Sequence, residues 1–426
     1  MDIPESFYGQ EILKENQKDR ISFIRRCRVR TSPWLALFIL FLARVALGFQ
    51  FQSVVSIAPE LMATFSVNHT AIGTLVGLFT LPGLVFSLLA GVMGKRFGNK
   101  LAVSGGLILM VSGSVCMALA PDFLVLSIGR LQCGFGAIVL FVLLSKMAAD
   151  WFTGKQLGIA MSVIINGWPI GIGAGLLTHH LIAESLTFNA VFWANALVAG
   201  VVLLSMLALY RNPRVERQAS VAPLSRISRL EVLQVSLSAI GLTLYNAAVV
   251  MILSFVPGMF IANGTAPLTA GSLVNLHILV SIAGVTVGGI LSSKNSRFLS
   301  AGISLLICSF VLASLALAQT SNAFFNTLFI ATGFVIGIPA ALLMTLPTTV
   351  LAPANRDVGF GILYTWVYGG LALLMVLVGH VQTVYQIPSA PVILAAILLI
   401  LTPVSTWMFV TLTRQKENPK VTAPSV

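Results

Sequence analysis

Two arginines stand in stretches that are otherwise apolar enough to cross a bilayer. Arg44 lies within LARVALGFQFQSVVSIAPEL and Arg130 within FLVLSIGRLQCGFGAIVLFVLLSK. A guanidinium at mid-membrane depth costs about 2.5 to 3.5 kcal/mol on insertion scales, so each is expected to face a water-filled cavity or a partner inside the protein. Its planar fork of donors suits a carboxylate or a similar flat anion, the alternative being a structural arginine bonded to backbone carbonyls. The acids decide between these. All 13 acidic residues fall in tails, loops or the ends of apolar stretches, Asp150 in the loop after the fourth span and Asp357 at the start of the eleventh. With no carboxylate at their depth, the two arginines point to a bound anion, and a solute is the natural source of one. Arg44 sits about ten residues into a span entering from one face and Arg130 about eight into a span entering from the other, so a shared cavity is expected. Cys133, Gly134, Gly136 and Ala137 would let a neighbouring helix approach the second arginine's span closely.

The elements that must position these residues follow from composition. The chain has 426 residues, 57% hydrophobic and only 9% charged, which excludes an ordinary soluble enzyme and leaves room for many membrane spans. Apolar runs of spanning length are predicted near 34–56, 71–91, 101–120, 123–146, 157–178 and 188–210, then 232–257, 270–291, 299–318, 324–346, 358–379 and 389–412. The expected architecture is an all-α polytopic membrane protein: a tail over 1–33, six spans over 34–210, a polar linker over 211–231, six spans over 232–412 and a tail over 413–426. The stretch ISFIRRCRVRT in the first tail reads either as a surface-lying amphipathic helix or as a disordered segment. No cleavable leader is expected, since the chain opens on a polar segment.

Charge placement carries more information than the net charge of +12. Apart from Arg44 and Arg130, every Lys and Arg falls in a tail, the linker or an even-numbered loop, which by the positive-inside rule places both termini in the cytoplasm, with the loops around Asn68 and Asn263 outside. No basic cluster is interleaved with aromatics, so nucleic acid is not an expected partner. Cys27, Cys116, Cys133 and Cys308 suggest neither a disulfide framework nor a metal site, and no intramembrane set of paired acids or of nucleophile and base is present to suggest an enzyme. No cofactor is expected. A weak repeat is also visible: Gly91 corresponds to Gly289 and Gly134 to Gly333, at the same places in the second and fourth spans of each half.

With these features in hand, the segment GVMGKRFGNK resembles the signature between the second and third helices of the major facilitator superfamily, with Gly91, Arg96, Gly98 and Lys100 matching. Lys95 stands where that family usually has an aspartate, and Asn99 where it has a basic residue. RLQCGFGA, from Arg130 to Ala137, resembles the family's fourth-helix motif, and Asp150 to Gly175 fits the loop after it and a Gly/Pro-rich fifth helix. The first span, with Arg44 and Pro59, is most similar to the cyanate and nitroimidazole permease group. The resemblance implies two pseudo-symmetric six-helix bundles, alternating access around a midplane site, a small-molecule solute, a monomer, and a place in the plasma membrane, the inner membrane in a bacterium.

On helices that line the site in that family lie Gln50 and Gln52, Asn166 and Trp168, Tyr245 and Asn246, Asn275 and His277, and Tyr364, Trp366 and Tyr368. Together with Arg44 and Arg130 they are the expected solute-binding set, each with interhelical bonding as its alternative. His277, the one mid-span histidine, is the candidate carrier of a coupling proton, with packing as its alternative. His69, His179, His180 and His380 sit near the other face and are assigned no role. The expected gate comprises Gly91, Lys95, Arg96, Gly98, Lys100, Asp150 and Asp357, with Lys95 pairing to Asp357 or Asp150. The implied function is secondary transport of a small organic anion. The rivals are a proton-coupled drug exporter, which the lack of a mid-membrane acid argues against, and a transporter-like ligand sensor.

Overall fold

The computed structural model describes residues 32–67, 69–213, 227–294, 296–318, 322–385 and 387–417. The basic stretch before Ser32, the loop tip at Asn68, the middle of the linker and the end of the C-terminal tail lie outside the described residues, as do the side chains of His69 and His380.

Among the described residues, twelve helical spans are long and apolar enough to cross a membrane. The first half consists of α1 (Pro33–Ser56), the short α2 (Ala58–Phe65), α3 (His69–Thr80), α4 (Pro82–Phe97), α5 (Asn99–Ala118), α6 (Phe123–Trp151), α7 (Lys155–Ser185) and α8 (Phe188–Ala208). The second consists of α9 (Arg229–Ala262), α10 (Pro267–Leu291), α11 (Arg297–Ala318), α12 (Ala323–Val350), α13 (Arg356–Tyr385) and α14 (Ala390–Glu417). No strand occurs among the described residues. The fold is thus an all-α membrane bundle, with α3 and α4 forming the second span.

Local sequence sets the helix ends. Ser32 caps α1 by accepting from the Leu35 amide, Asp122 caps α6 through Val125, and Asn322 caps α12 through Phe325. Ser228 and Glu231 form a reciprocal capping box that opens α9. Pro59 and Pro82 stand in the first turns of α2 and α4, where a missing amide is tolerated, and the preceding helices end just before them. Several helices run past the apolar stretches from which spans are predicted, α6 to Trp151 and α9 from Arg229 to Ala262. Backbone hydrogen bonding continues wherever the side chains can reach a partner. Lys146 and Asp150, expected at a loop, are therefore one turn apart on α6 and buried, at 2% and 7% exposure.

The repeat glycines make equivalent contacts. Gly134 on α6 faces the carbonyls of Leu78 and Phe79 on α3, and Gly333 on α12 faces the carbonyl of His277 on α10; a Cβ would stand 2.7 and 2.2 Å from the nearest of these atoms. Gly91 on α4 faces the carbonyl of Asp357 on α13, while Gly289 on α10 faces that of Gly158 on α7. The first pair holds fourth to second span within each half. The second pair joins the halves along two seams, α4 with α13 and α7 with α10, related as a two-fold would relate them. These seams run from the middle of the spans to the end bearing the basic loops, and they close that end of the molecule.

Candidate functional site

Two polar centres lie between the halves. The deeper one is built on Arg44, whose stem packs against Gly167 where α1 and α7 approach closely. Its guanidinium carbon lies 4.2 Å from the centroid of the Phe141 ring on α6. The residue is 7% exposed, and its Nε and Nη1 are buried without a hydrogen-bond partner among the described residues. Rings surround it. Trp168 on α7 lies 4.9 Å from Phe141 and 5.1 Å from Phe51, and across the interface Tyr364 and Tyr368 on α13 lie 6.4 and 6.2 Å from Phe141. The Tyr364 hydroxyl lies 3.1 Å from Ser145 Oγ, and the Tyr368 ring packs where Gly83 has no side chain. The result is a cation backed by aromatic faces, with donors that no protein acceptor takes up.

Arg130 takes the other course. Its Nε donates to the Leu75 carbonyl at 3.1 Å, Nη1 to that of Gln50 and Nη2 to that of Phe51, both at 2.9 Å, and nothing of it is exposed. Its guanidinium lies 4.6 Å from the Phe79 centroid. It contacts α1 at Gln50 and Phe51, about two turns beyond Arg44, so the expected shared cavity is corrected: Arg130 ties α1, α3 and α6 together.

The remaining expected solute-binding residues divide in the same manner. Trp168, Tyr364 and Tyr368 join Arg44. Gln50 donates to the Met110 carbonyl at 3.1 Å and to Ser114 Oγ, and Gln52 donates to Ser56 Oγ at 3.3 Å. Asn166 crosses the α7–α10 seam to the Ile282 carbonyl and Thr286 Oγ1, at 3.2 and 3.0 Å. Tyr245 donates to the Ile336 carbonyl and Asn246 to its own helix at Leu242. His277 stacks on Phe329, with Nδ1 3.1 Å from that residue's carbonyl, a packing arrangement rather than an open proton site. Trp366 and Asn275 are exposed, Trp366 donating to Ser236 Oγ. His179 is fully buried against Phe49.

The second centre closes the basic end. Lys146 Nζ lies 2.8 Å from Asp150 Oδ2 and 3.0 Å from Asp357 Oδ1, bridging α6 to the start of α13. Arg356 Nη1 returns from α13 to Asp150 Oδ1 at 3.2 Å and donates to the Ala149 carbonyl at 2.8 Å. Two cations and two carboxylates thus alternate across the seam, a neutral set whose mutual attraction offsets much of the cost of burying each charge. Lys95 donates to Asn355 Oδ1 at 3.4 Å, and Asn355 in turn donates to Glu231 of α9 at 3.2 and 3.3 Å. Lys146 and Arg356 make ion pairs to Asp357 and Asp150, and the Lys95 ammonium lies near enough to Asp357 to attract its carboxylate. Gly98 adopts φ +85° at the turn between α4 and α5, a conformation that favours glycine. Lys100 donates to the carbonyls of Leu207 and Tyr210 within the first half, and Arg96 is exposed beside Phe97.

Sequence reading passed over Phe141, Lys146 and Arg356. The spacings were present: Phe141 lies eleven residues, about three helical turns, after Arg130, and Lys146 stands four before Asp150.

Comparison with known proteins agrees with this geometry. Residues 40–375 match the model of the Major Facilitator Superfamily. The 3-(3-hydroxy-phenyl)propionate transporter of Escherichia coli is 26% identical over 308 residues, covering 71% of this chain and 75% of that protein. The inner membrane transport protein YajR of the same organism is 28% identical over 138 residues, and that match covers 32% of this chain and only 30% of its length. The crystal structure of the human organic anion transporter MFSD10 superposes with a TM-score of 0.74 at 13% identity, covering 88% of this chain and all of that one, a likeness of fold. A twelve-span bundle with these seams, matched by the family model over most of its length, belongs to the Major Facilitator Superfamily and is a membrane transporter of that family's general kind.

Proposed function

We propose that the protein is a secondary transporter of a small organic anion, working by alternating access, with Arg44 as the residue that holds the anion's charge. The observation that carries this reading is the guanidinium of Arg44: buried, backed by Phe141, and with Nε and Nη1 bonded to no described residue. A carboxylate supplies the acceptors that those donors lack, in a bidentate geometry that lysine cannot reproduce. The Escherichia coli relative, by its name, carries a carboxylate. The resemblance of the first span to the cyanate and nitroimidazole permease group belongs to the same reading, since it rests on the same arginine.

The basic loops face the cytoplasm in this proposal, by the positive-inside rule, and the conformation closed at that end is then the outward-facing one. The two six-helix units, 34–210 and 232–412, would rock about the α4–α13 and α7–α10 seams. The gate in this proposal is the ionic set of Lys146, Asp150, Arg356 and Asp357, supported by Gly91, Lys95 and Gly98.

The test is uptake of small carboxylates into proteoliposomes, with and without a pH gradient. Saturable uptake is expected for the wild type, and Arg44→Lys should lose most of it while remaining folded. Direct, desolvated contact with the charge predicts a loss of about 2 to 5 kcal/mol in binding for Arg44→Ala. Normal uptake by that variant, or wild-type transport of cations alone, would remove the anion reading.

A further inference from the structure

We propose that the solute is an aromatic monocarboxylate, a flat ring carrying a single negative charge, and that its ring is gripped by both halves at once. This inference rests on the anion reading above and narrows it. Around Arg44 the polar groups are few and the rings many. Phe51, Phe141 and Trp168 come from the first half and Tyr364 and Tyr368 from the second, joined by ring-to-ring distances of 4.9 to 6.4 Å. Phe141, Trp168 and Tyr368 are each only partly buried, so each keeps some ring surface that the surrounding side chains do not cover.

The chemistry of the walls discriminates between anions. Arg44 is the one charged group among these residues, and among the described residues it enters no ion pair. A dicarboxylate or a phosphate would bring a second charge with nothing opposite it. A sugar acid would bring several hydroxyls to a set of rings whose own polar groups are the Tyr364 and Tyr368 hydroxyls and the Trp168 indole N–H, the Tyr364 hydroxyl already paired with Ser145, and some of those hydroxyls would be buried without partners. A benzoate-like ion places its carboxylate on the free edge of the guanidinium and its ring among rings, where offset or edge-to-face contacts favour an aromatic body over an aliphatic body of equal size.

The experiment is competitive binding to the purified full chain in nanodiscs, using benzoate, cyclohexanecarboxylate, succinate and glucuronate. Benzoate and cyclohexanecarboxylate share carbon count and charge and differ in aromaticity, so their ratio isolates the ring. Benzoate should bind at least about threefold more tightly than cyclohexanecarboxylate, and succinate and glucuronate at least about tenfold more weakly than benzoate. Phe141→Leu and Trp168→Leu should each bring the first ratio toward unity. Equal binding of the two monocarboxylates by the wild type would overturn the aromatic inference while leaving the anion reading intact. Tighter binding of succinate or glucuronate would likewise overturn it, and absence of binding by all four would remove both readings. If either leucine variant proves unstable, the wild-type ratios alone decide.

Discussion

Arg44 and Arg130 carry the same guanidinium in the same half of the bundle, yet the protein treats them in opposite ways. Arg130 is wrapped: three of its N–H groups meet carbonyls of α1 and α3, and rings cover what remains. Arg44 is held by its stem and by one ring, while two of its nitrogens are buried with no acceptor among the described residues. A buried cation with its donors met is a fastener between helices. One whose donors are left unmet destabilises the resting protein and keeps binding energy for something that arrives later. The pair shows that depth in the membrane does not define a binding arginine; the state of its hydrogen bonds does.

The strongest way to break this contrast is to remove the wrapped cation. Arg130→Leu takes three hydrogen bonds and a large buried side chain from the junction of α1, α3 and α6, and should cost about 3 to 5 kcal/mol of stability, read by thermal unfolding in detergent. Arg130→Lys should recover only part of this, because one ammonium cannot reach all three carbonyls. A variant as stable as the wild type would show that the wrapping is incidental.

A third buried cation sharpens the comparison. Lys146 is satisfied by carboxylates from both halves instead of carbonyls from one, so its removal should act on the seam and less on the fold of either half. Lys146→Met leaves Asp150 with Arg356 and Asp357 without its closest cation, an expected loss of about 2 to 3 kcal/mol from the closed basic end. A cysteine placed at the buried Ser292 on the α7–α10 seam should then label faster with a water-soluble thiol reagent. Unchanged labelling would remove Lys146 from the gate.

The smallest effect, and the one with the most telling sign, is on stability at Arg44. Arg44→Leu removes two unmet donors and keeps the packing against Phe141 and Gly167, so unfolding should move by no more than about 1 kcal/mol, in either direction, while solute binding is lost. A loss as large as that for Arg130→Leu would place both arginines in the same structural class.

The spans were legible because hydropathy reports how long a segment can stay in lipid, and the arginines because their types are so costly there. Partners were not legible, since they depend on which helices meet. Nothing in RLQCGFGA separates an arginine that finds the carbonyls of Gln50 and Phe51 from one that waits for a solute. The ends of helices were hidden for a related reason. An apolar run stops at Ser145, but the hydrogen-bonded helix continues to Trp151 because Lys146 and Asp150 satisfy each other and reach across to α13. Tyr245, Asn246 and His277 look like ligand groups in one dimension, and each reaches a nearby carbonyl in three.

The α7–α10 seam has a kinetic consequence. Gly158, Ser162, Gly289 and Ser292 meet there almost backbone to backbone, and Asn166 reaches across to the Ile282 carbonyl and Thr286 Oγ1. Surfaces of this kind part with few rotamer changes beyond Asn166, and the charged contacts concentrate where α6 meets α13, in the four ionised groups. The two lines of contact, alike in shape, would then behave as a smooth bearing on one side and a catch on the other. The waiting time for the basic end to open would be set chiefly by a handful of charges, while the glycines of the seams fix how closely the two halves can meet when that end shuts again.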